Sequence, residues 1–210
     1  MASVHSRQNC KEKRMTWTIT FEKYLSDDEV KALRKTLEVS VIIGKTKGYQ
    51  IPVRDSCIIE LALGTGLRVS EVSALKLEDI DLKPGGNSLI VRHGKSDKLR
   101  VVKFSSKLKA IIQDYLEYRA SESPYLFESQ RSEFMAVTAL QKVFKKYAKK
   151  AGLPSRLSFH SLRHTYATNL YRVTKNLRLV QLQLGHSSYN TTTVYAQVMD
   201  KDIDEAVELL

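Results

Sequence analysis

The chain has 210 residues, 42% of them hydrophobic and 27% charged, with a formal net charge of +11. That length predicts one main domain around a sizeable core. No apolar run approaches the ~20 residues that cross a bilayer, and the N-terminus lacks an apolar signal core, which argues against a membrane protein and against secretion. The two cysteines, Cys10 and Cys57, have no metal-ligand spacing and read as reduced thiols in a cytoplasmic protein.

Residues 1–20 read as a basic arm or linker. The first fifteen are polar, carry Arg7, Lys11, Lys13 and Arg14, and show no periodicity. Such an arm suits DNA phosphates, and a solvated tail explains the same charges. Helix is expected to begin at Ser26, where Ser26-Asp27-Asp28-Glu29 forms a capping box, and Val30, Leu33 and Leu37 continue at helical spacing. Gly44, Gly48 and Pro52 are expected to break the chain before a second, largely buried helix from about Val53 to Leu63.

In Gly64-Thr65-Gly66-Leu67-Arg68-Val69-Ser70-Glu71 the glycines predict a tight turn, and Arg68 opens a short helix with Val72 and Leu75 inward. An arginine at a helix start opposes the helix dipole, so its guanidinium either serves a function or pairs with Glu71 one turn on. From Ile80 to Phe104 the pattern changes. Three short β runs (80–82, 88–91 and 100–104) are separated by Pro84-Gly85-Gly86 and by Gly94-Lys95-Ser96-Asp97-Lys98, which predicts a three-stranded antiparallel sheet with Lys95 on the second turn.

Helices resume at about Lys107–Tyr118. A brief extended piece follows at 124–127, and then a basic amphipathic helix from Val137 to Ala151, closed by Gly152 and Pro154. From Phe134 to Met199 there is no Asp or Glu and there are ten Lys or Arg, among them Lys145, Lys146, Lys149 and Lys150. A stretch built without carboxylates expects a polyanion, and these four lysines are candidates to touch phosphates. Ser158 or Ser161 caps the next helix, on which His160 and Arg163 stand three apart and share a face. A further helix, about Asn176 to Leu184, stops at Gly185 and places His186 just beyond its end, with Tyr195 nine residues later. The last residues, 200–210, invert the charge and carry an apolar stripe of Ile203, Ala206, Val207 and Leu210.

These residue types suit a phosphodiester. Its negative charge repels nucleophiles until cations surround the non-bridging oxygens, and arginine matches phosphate geometry while staying charged. A tyrosine can then attack phosphorus and hold the strand covalently. Rival chemistries fit poorly. His160 and His164 have no Glu or third ligand placed for zinc, and Asp200-x-Asp202-x-Asp204 lacks the glycine and the twelfth position of a calcium loop. The acid-free window opposes a two-metal nuclease, and no phosphate-binding loop for ATP is present.

Thr65-Gly66-Leu67-Arg68-x-Ser70-Glu71, Gly94-Lys95-x-x-Lys98, His160-x-x-Arg163, Leu184-Gly185-His186 and Tyr195 occur in that order. Over about residues 20 to 205 the chain resembles the catalytic domain of the tyrosine recombinases, also called the phage integrase family. The resemblance implies a mainly α fold with a small three-stranded antiparallel sheet (α+β), a catalytic domain over 21–199, and a terminal helix over 200–210 that docks on a neighbouring subunit; a self-packed tail is the alternative. It implies that Arg68, buttressed by Glu71, and Arg163 clamp the scissile phosphate and that His186 donates a further hydrogen bond. Tyr195 attacks phosphorus, His160 helps accept its proton, and Lys95 protonates the departing 5′ oxygen, with Lys98 the second candidate for that role and otherwise a DNA contact.

The implied product is a 3′-phosphotyrosyl bond made without metal, nucleotide or other cofactor. The implied partners are double-stranded DNA, further copies of the chain in a tetramer on paired sites, and an accessory DNA-bending protein. A relaxase resembling the type IB topoisomerases would share the chemistry, and a DNA-binding regulator on the same fold would lack it. Family members usually carry an N-terminal helical domain that completes a clamp around DNA, and only about 20 residues precede the catalytic domain here, as expected for a catalytic fragment or a short single-domain member.

Overall fold

Ser26 starts the first helix as its sequence predicts. Its Oγ accepts the Glu29 amide at 3.2 Å, and the Glu29 carboxylate accepts the Ser26 amide at 2.8 Å. The resulting helix α1, Asp27–Thr46, carries Asp27, Asp28 and Glu29 in its first turn, where carboxylates complement the helix dipole. The structure, a computed structural model, describes residues 23–92, 99–129 and 132–185.

Helix α2, Gln50–Thr65, is the centre of the fold. It is apolar nearly all round and packs against α1, α4 (Ser106–Tyr118), α5 (Val137–Lys150) and α6 (Phe159–Thr174), with Cys57, Ile58, Ile59, Leu61 and Ala62 fully buried. Its two buried carboxylates are paired outward. Glu60 receives a two-pronged grip from Arg34 of α1 (2.9 and 3.0 Å), and Asp55 receives Arg54 and Lys146 of α5 (3.1 and 2.9 Å). Burying these carboxylates alone would be costly, and the pairing makes them ties between helices instead.

The expected break around Gly44 and Pro52 is narrower than the sequence predicts. Gly44 lies inside α1, and Pro52 is the third residue of α2, within the first turn, where its missing amide hydrogen is not needed. A Cβ on Gly44 would lie 2.8 Å from the Pro52 ring, so the glycine here permits close packing between α1 and α2 and does not end a helix.

Helix α2 ends at Gly66, whose φ of 65° is left-handed and suits only glycine at low cost. A short helix α3, Val69–Ser73, follows and buries Val72. A 3-10 turn at Leu77–Asp79 leads into the sheet of β1 (Ile80–Asp81), β2 (Ser88–Val91) and β3 (Arg100–Lys103), antiparallel in the order β1-β2-β3, as predicted. Leu89, Val91 and Val102 alternate inward and join the core. The extended piece at 124–127 is bound to the loop after α3: the Leu126 amide donates to the Leu75 carbonyl, and the Leu77 amide to that of Pro124.

Helix α6 starts at Ser158, whose amide donates to Ser161 Oγ at 3.1 Å. Helix α7, Leu177–Leu184, starts at Asn176, whose side chain accepts the Leu179 amide at 3.1 Å. α7 folds back on α6 through a second, smaller apolar cluster of Ala167, Val180 and Leu184, which Tyr166 and Leu170 border. The chain entering α1 is fixed to the same helix, since the buried Leu25 amide donates to Thr165 Oγ1 at 2.9 Å. Among the described residues, no helix is long and apolar enough to cross a membrane.

Candidate active site

The end of α2, the start of α3, the middle of α6, the end of α7 and the start of β3 meet at one carboxylate. Arg68 is the N-cap residue of α3 and Glu71 the third residue inside it, so helix geometry alone returns the Glu71 side chain to the Arg68 backbone. Glu71 Oε2 accepts the Arg68 amide at 2.8 Å, and Oε1 accepts Arg68 Nη1 at 3.0 Å. Arg68 keeps 40% of its side chain exposed, while the Glu71 side chain is 8% exposed. The two expectations for Arg68, a functional guanidinium or a partner for Glu71, are thus compatible: it is paired and still presents itself to solvent.

Arg163 approaches the same carboxylate from α6, with Nη1 4.0 Å from Glu71 Oε2. Its guanidinium is buried, and its two terminal nitrogens donate to the carbonyls of Gly66 (2.6 Å) and Leu184 (2.9 Å). Arg100, a residue for which the sequence suggests only a place in a strand, completes the group. Its Nη1 and Nη2 donate to the two Glu71 oxygens at 2.8 Å each.

Burial pushes the Glu71 carboxyl toward the neutral form. The hydrogen bonds and charge of Arg100, the Arg68 amide and the charge of Arg163 outweigh it and hold the pKa at about 2. Glu71 is therefore ionised at neutral pH, and these four side chains together carry two positive charges in excess.

His160 lies one turn before Arg163 on α6 and is exposed to solvent. Its ring is nonetheless crowded by protein, and this desolvation, followed by the charges of Arg163 and Arg68, lowers its pKa from the ordinary histidine range. It is neutral at pH 7 and able to accept a proton. His164 stands edge-on to it, ring centroids 4.5 Å apart. Among the described residues, no group of three or more His, Cys, Asp or Glu side chains is placed to hold a metal.

Arg68, His160 and Arg163 are thus brought together. Lys95, Lys98, His186 and Tyr195 lie outside the described residues. The chain leaves toward Lys95 from Val91 and returns at Arg100, two residues that pair across β2 and β3. It leaves toward His186 from Gly185, which caps α7 with a φ of 65°. The lysines of α5 divide in two. Lys145 Nζ donates to the Ser155 and Leu157 carbonyls at 2.8 and 2.7 Å, and Lys146 is held by Asp55. Lys149 and Lys150 are exposed in the last turn, with Lys150 Nζ 5.5 Å from the centre of the Tyr147 ring.

Three arginines gathered on one carboxylate beside a histidine offer positive charge of the kind that suits an anion, and the helical scaffold that carries them is the catalytic-domain fold of the tyrosine recombinases. The chain belongs to the phage integrase family, which residues 23–202 match. It is 40% identical over 192 residues to the tyrosine recombinase XerA of Pyrococcus furiosus, covering 90% of this chain and 62% of that protein. To the tyrosine recombinase XerC of Thermodesulfovibrio yellowstonii it is 36% identical over 165 residues, covering 74% of this chain and 54% of the other.

The crystal structure of XerA recombinase is similar with a TM-score of 0.73 at 30% identity, covering 89% of this chain and 64% of that one. The XerH site-specific recombinase bound to a palindromic difH substrate, a post-cleavage complex, gives a TM-score of 0.75 at 26% identity, covering 90% and 53%. The chain spans less than two thirds of the length of these relatives.

Proposed function

We propose that this chain is the catalytic part of a site-specific recombinase that cuts and rejoins DNA through a 3′-phosphotyrosyl intermediate. The observation that carries the reading is the arginine group on Glu71: Arg68 is paired on one side and open to solvent on the other, next to a neutral, exposed His160. A scissile phosphate seated on Arg68 places its non-bridging oxygens against fixed positive charge, with Arg163 adding charge from the buried side of the same carboxylate.

The Tyr195 phenol oxygen then forms the bond to phosphorus, and His160 takes its proton. A free phenol has a pKa of ~10, so the excess positive charge is what makes the phenolate accessible near neutrality. The bond from phosphorus to the 5′ oxygen breaks, and Lys95 supplies the proton to that oxygen. His186 donates a hydrogen bond to a non-bridging oxygen. Attack by the 5′ hydroxyl of a partner strand reverses the step and exchanges the strands. Lys149 and Lys150, with Lys98, hold phosphates flanking the cut.

Exchange between two duplexes requires four active sites, hence a tetramer on paired DNA, with the 200–210 segment docking between subunits and a DNA-bending protein assisting. The test is incubation, without metal, with nicked suicide duplexes bearing candidate sites, followed by denaturing gels. A covalent protein–DNA adduct that is absent with Tyr195→Phe supports the reading. An adduct that persists in Tyr195→Phe refutes the nucleophile, and binding without any adduct in the unaltered protein favours a DNA-binding regulator.

A further inference from the structure

Arg100 lies outside the catalytic set, yet it donates three hydrogen bonds within the site. It opens β3, and its side chain is 9% exposed. Besides its two bonds to Glu71, its Nε donates to the Gln183 carbonyl in the last turn of α7 at 3.3 Å. The guanidinium can lie over the end of α7 because residue 185 has no side chain, since a Cβ there would sit 2.6 Å from Arg100 Cδ.

A carboxylate offers about four lone-pair sites. At Glu71, Oε1 accepts Arg100 Nη1 and Arg68 Nη1, while Oε2 accepts Arg100 Nη2 and the Arg68 amide. All the sites are filled, and Arg100 fills half of them. Without Arg100, the carboxylate would have two open sites and, among the described residues, Arg68 as the side chain still bonded to it, with Arg163 farther off at 4.0 Å. Arg68 would turn its donors inward, away from the face that meets solvent.

We propose that Arg100 is a positioning residue for strand cleavage: by saturating Glu71 it keeps the Arg68 guanidinium presented to the scissile phosphate, and through the Gln183 carbonyl it holds the end of α7, from which the chain continues to His186. The proposal rests on the cleavage reading above. It explains why a largely enclosed arginine stands opposite Val91, where β2 leads out toward Lys95 and β3 begins. One side chain braces the sheet, α3 and α7 against each other around the phosphate site.

The test compares single-turnover cleavage of a suicide duplex carrying either the normal scissile phosphate or a neutral methylphosphonate at that position, with unaltered protein, Arg100→Gln and Arg100→Lys. A displacement of a reacting group by about 1 Å costs on the order of 10²-fold in rate, so Arg100→Gln is expected to cleave the phosphate duplex roughly 10²-fold more slowly while binding it within about 3-fold of the unaltered protein. On the methylphosphonate, where less charge needs compensating, the loss shrinks to under ~10-fold. Arg100→Lys, which keeps the charge and lacks the fork, falls between, and it carries the comparison if Arg100→Gln does not fold.

An equal loss on both duplexes, or a loss seen in DNA affinity and not in rate, overturns the positioning role. Because both duplexes are cut by one protein preparation, a general folding defect cannot produce the difference between them. If the unaltered protein forms no adduct with either duplex, the cleavage reading fails and the proposal with it. If it forms adducts and only the variant ratio is flat, Arg100 alone is wrongly assigned.

Discussion

Arg163 donates to the Gly66 carbonyl at 2.6 Å across 97 residues of sequence, and its other terminal nitrogen donates to Leu184 at 2.9 Å. Both carbonyls belong to helix ends, one capping α2 and the other closing α7. Helix C-termini leave carbonyls without partners and carry partial negative charge, so a buried cation satisfies both at once. Arg163→Ala strands these acceptors and leaves Glu71 less compensated. The expected cost is ~3–5 kcal/mol, or a Tm lower by roughly 10 °C for a chain of this size. Arg163→Lys restores less than half of that, because an ammonium on a flexible stem cannot span two fixed carbonyls as a planar fork does. Thermal unfolding monitored by circular dichroism checks both, and an Arg163→Ala protein melting with the unaltered one would contradict the assignment.

Glu71 gives the fold a defined acid sensitivity. Its folded pKa of about 2 lies below the usual glutamate value of 4.5. A carboxylate depressed on folding contributes stability that is fully present above the unfolded pKa and is lost as pH falls toward the folded one. The window is therefore pH 4.5 down to about 2, and the contribution is about 3 kcal/mol. Glu71→Gln should remove this part of the acid slope and also leave Arg100 and Arg163 with uncompensated buried charge, so it is less stable than the unaltered protein at pH 7. Urea unfolding between pH 2 and pH 7 measures both effects. A variant whose stability depends on pH as the unaltered protein's does would show that another carboxylate carries the slope.

His160 makes a kinetic prediction of opposite character. Desolvation, then Arg163 and Arg68, lower its pKa from 6.5, so the neutral ring, with one nitrogen free to accept, is favoured at pH 7 and a second proton is taken up in more acidic solution. If it accepts the Tyr195 proton, single-turnover cleavage falls as pH drops through a value below 6.5, with the plateau already reached at neutrality. His160→Gln should slow cleavage by ~10²-fold or more and flatten that acid limb, because glutamine does not titrate there. A limb centred at or above 6.5, or one that survives in His160→Gln, would assign the proton to another group. His164, whose ring stands 4.5 Å away, is the first residue to examine in that case.

The order of elements was legible because each is marked locally: a capping box at Ser26, period-two apolar residues at 88–91 and 100–104, and glycines where α2 and α7 end. Arg68 and His160–Arg163 were legible for a different reason, since their spacing is short and carried by single helices. Arg100 was not, because its partners, Glu71 and Gln183, lie 29 and 83 residues away and a strand arginine has no periodic signature of what it will meet. Gly44 misled in the same way, its role being set by Pro52 on the neighbouring helix. The acid-free window also promised more free charge than the surface holds. Arg172 is gripped by Asp27 at 3.0 Å and Arg156 lies 3.7 Å from Glu29, so carboxylates from the first turn of α1 reach into a region whose own sequence has none.

That last point decides which lysines of α5 should govern DNA affinity. Lys145 and Lys146 spend their donors on the loop before α6 and on buried Asp55, whereas Lys149 and Lys150 project from the exposed end of the helix. A lysine that meets a phosphate contributes counterion release, and its removal lowers the slope of log affinity against log salt by about one. Lys149→Gln and Lys150→Gln should each weaken binding to any duplex uniformly and reduce that slope, with stability unchanged within ~0.5 kcal/mol. Lys146→Gln should do the reverse. It withdraws a charged partner from Asp55, which still has Arg54, and the solvent-screened cost is about 1 kcal/mol of stability with little change in salt slope. Binding titrations at several salt concentrations, paired with urea unfolding of the same proteins, separate the two behaviours. An unchanged slope in Lys149→Gln and Lys150→Gln together would place the DNA path away from the end of α5.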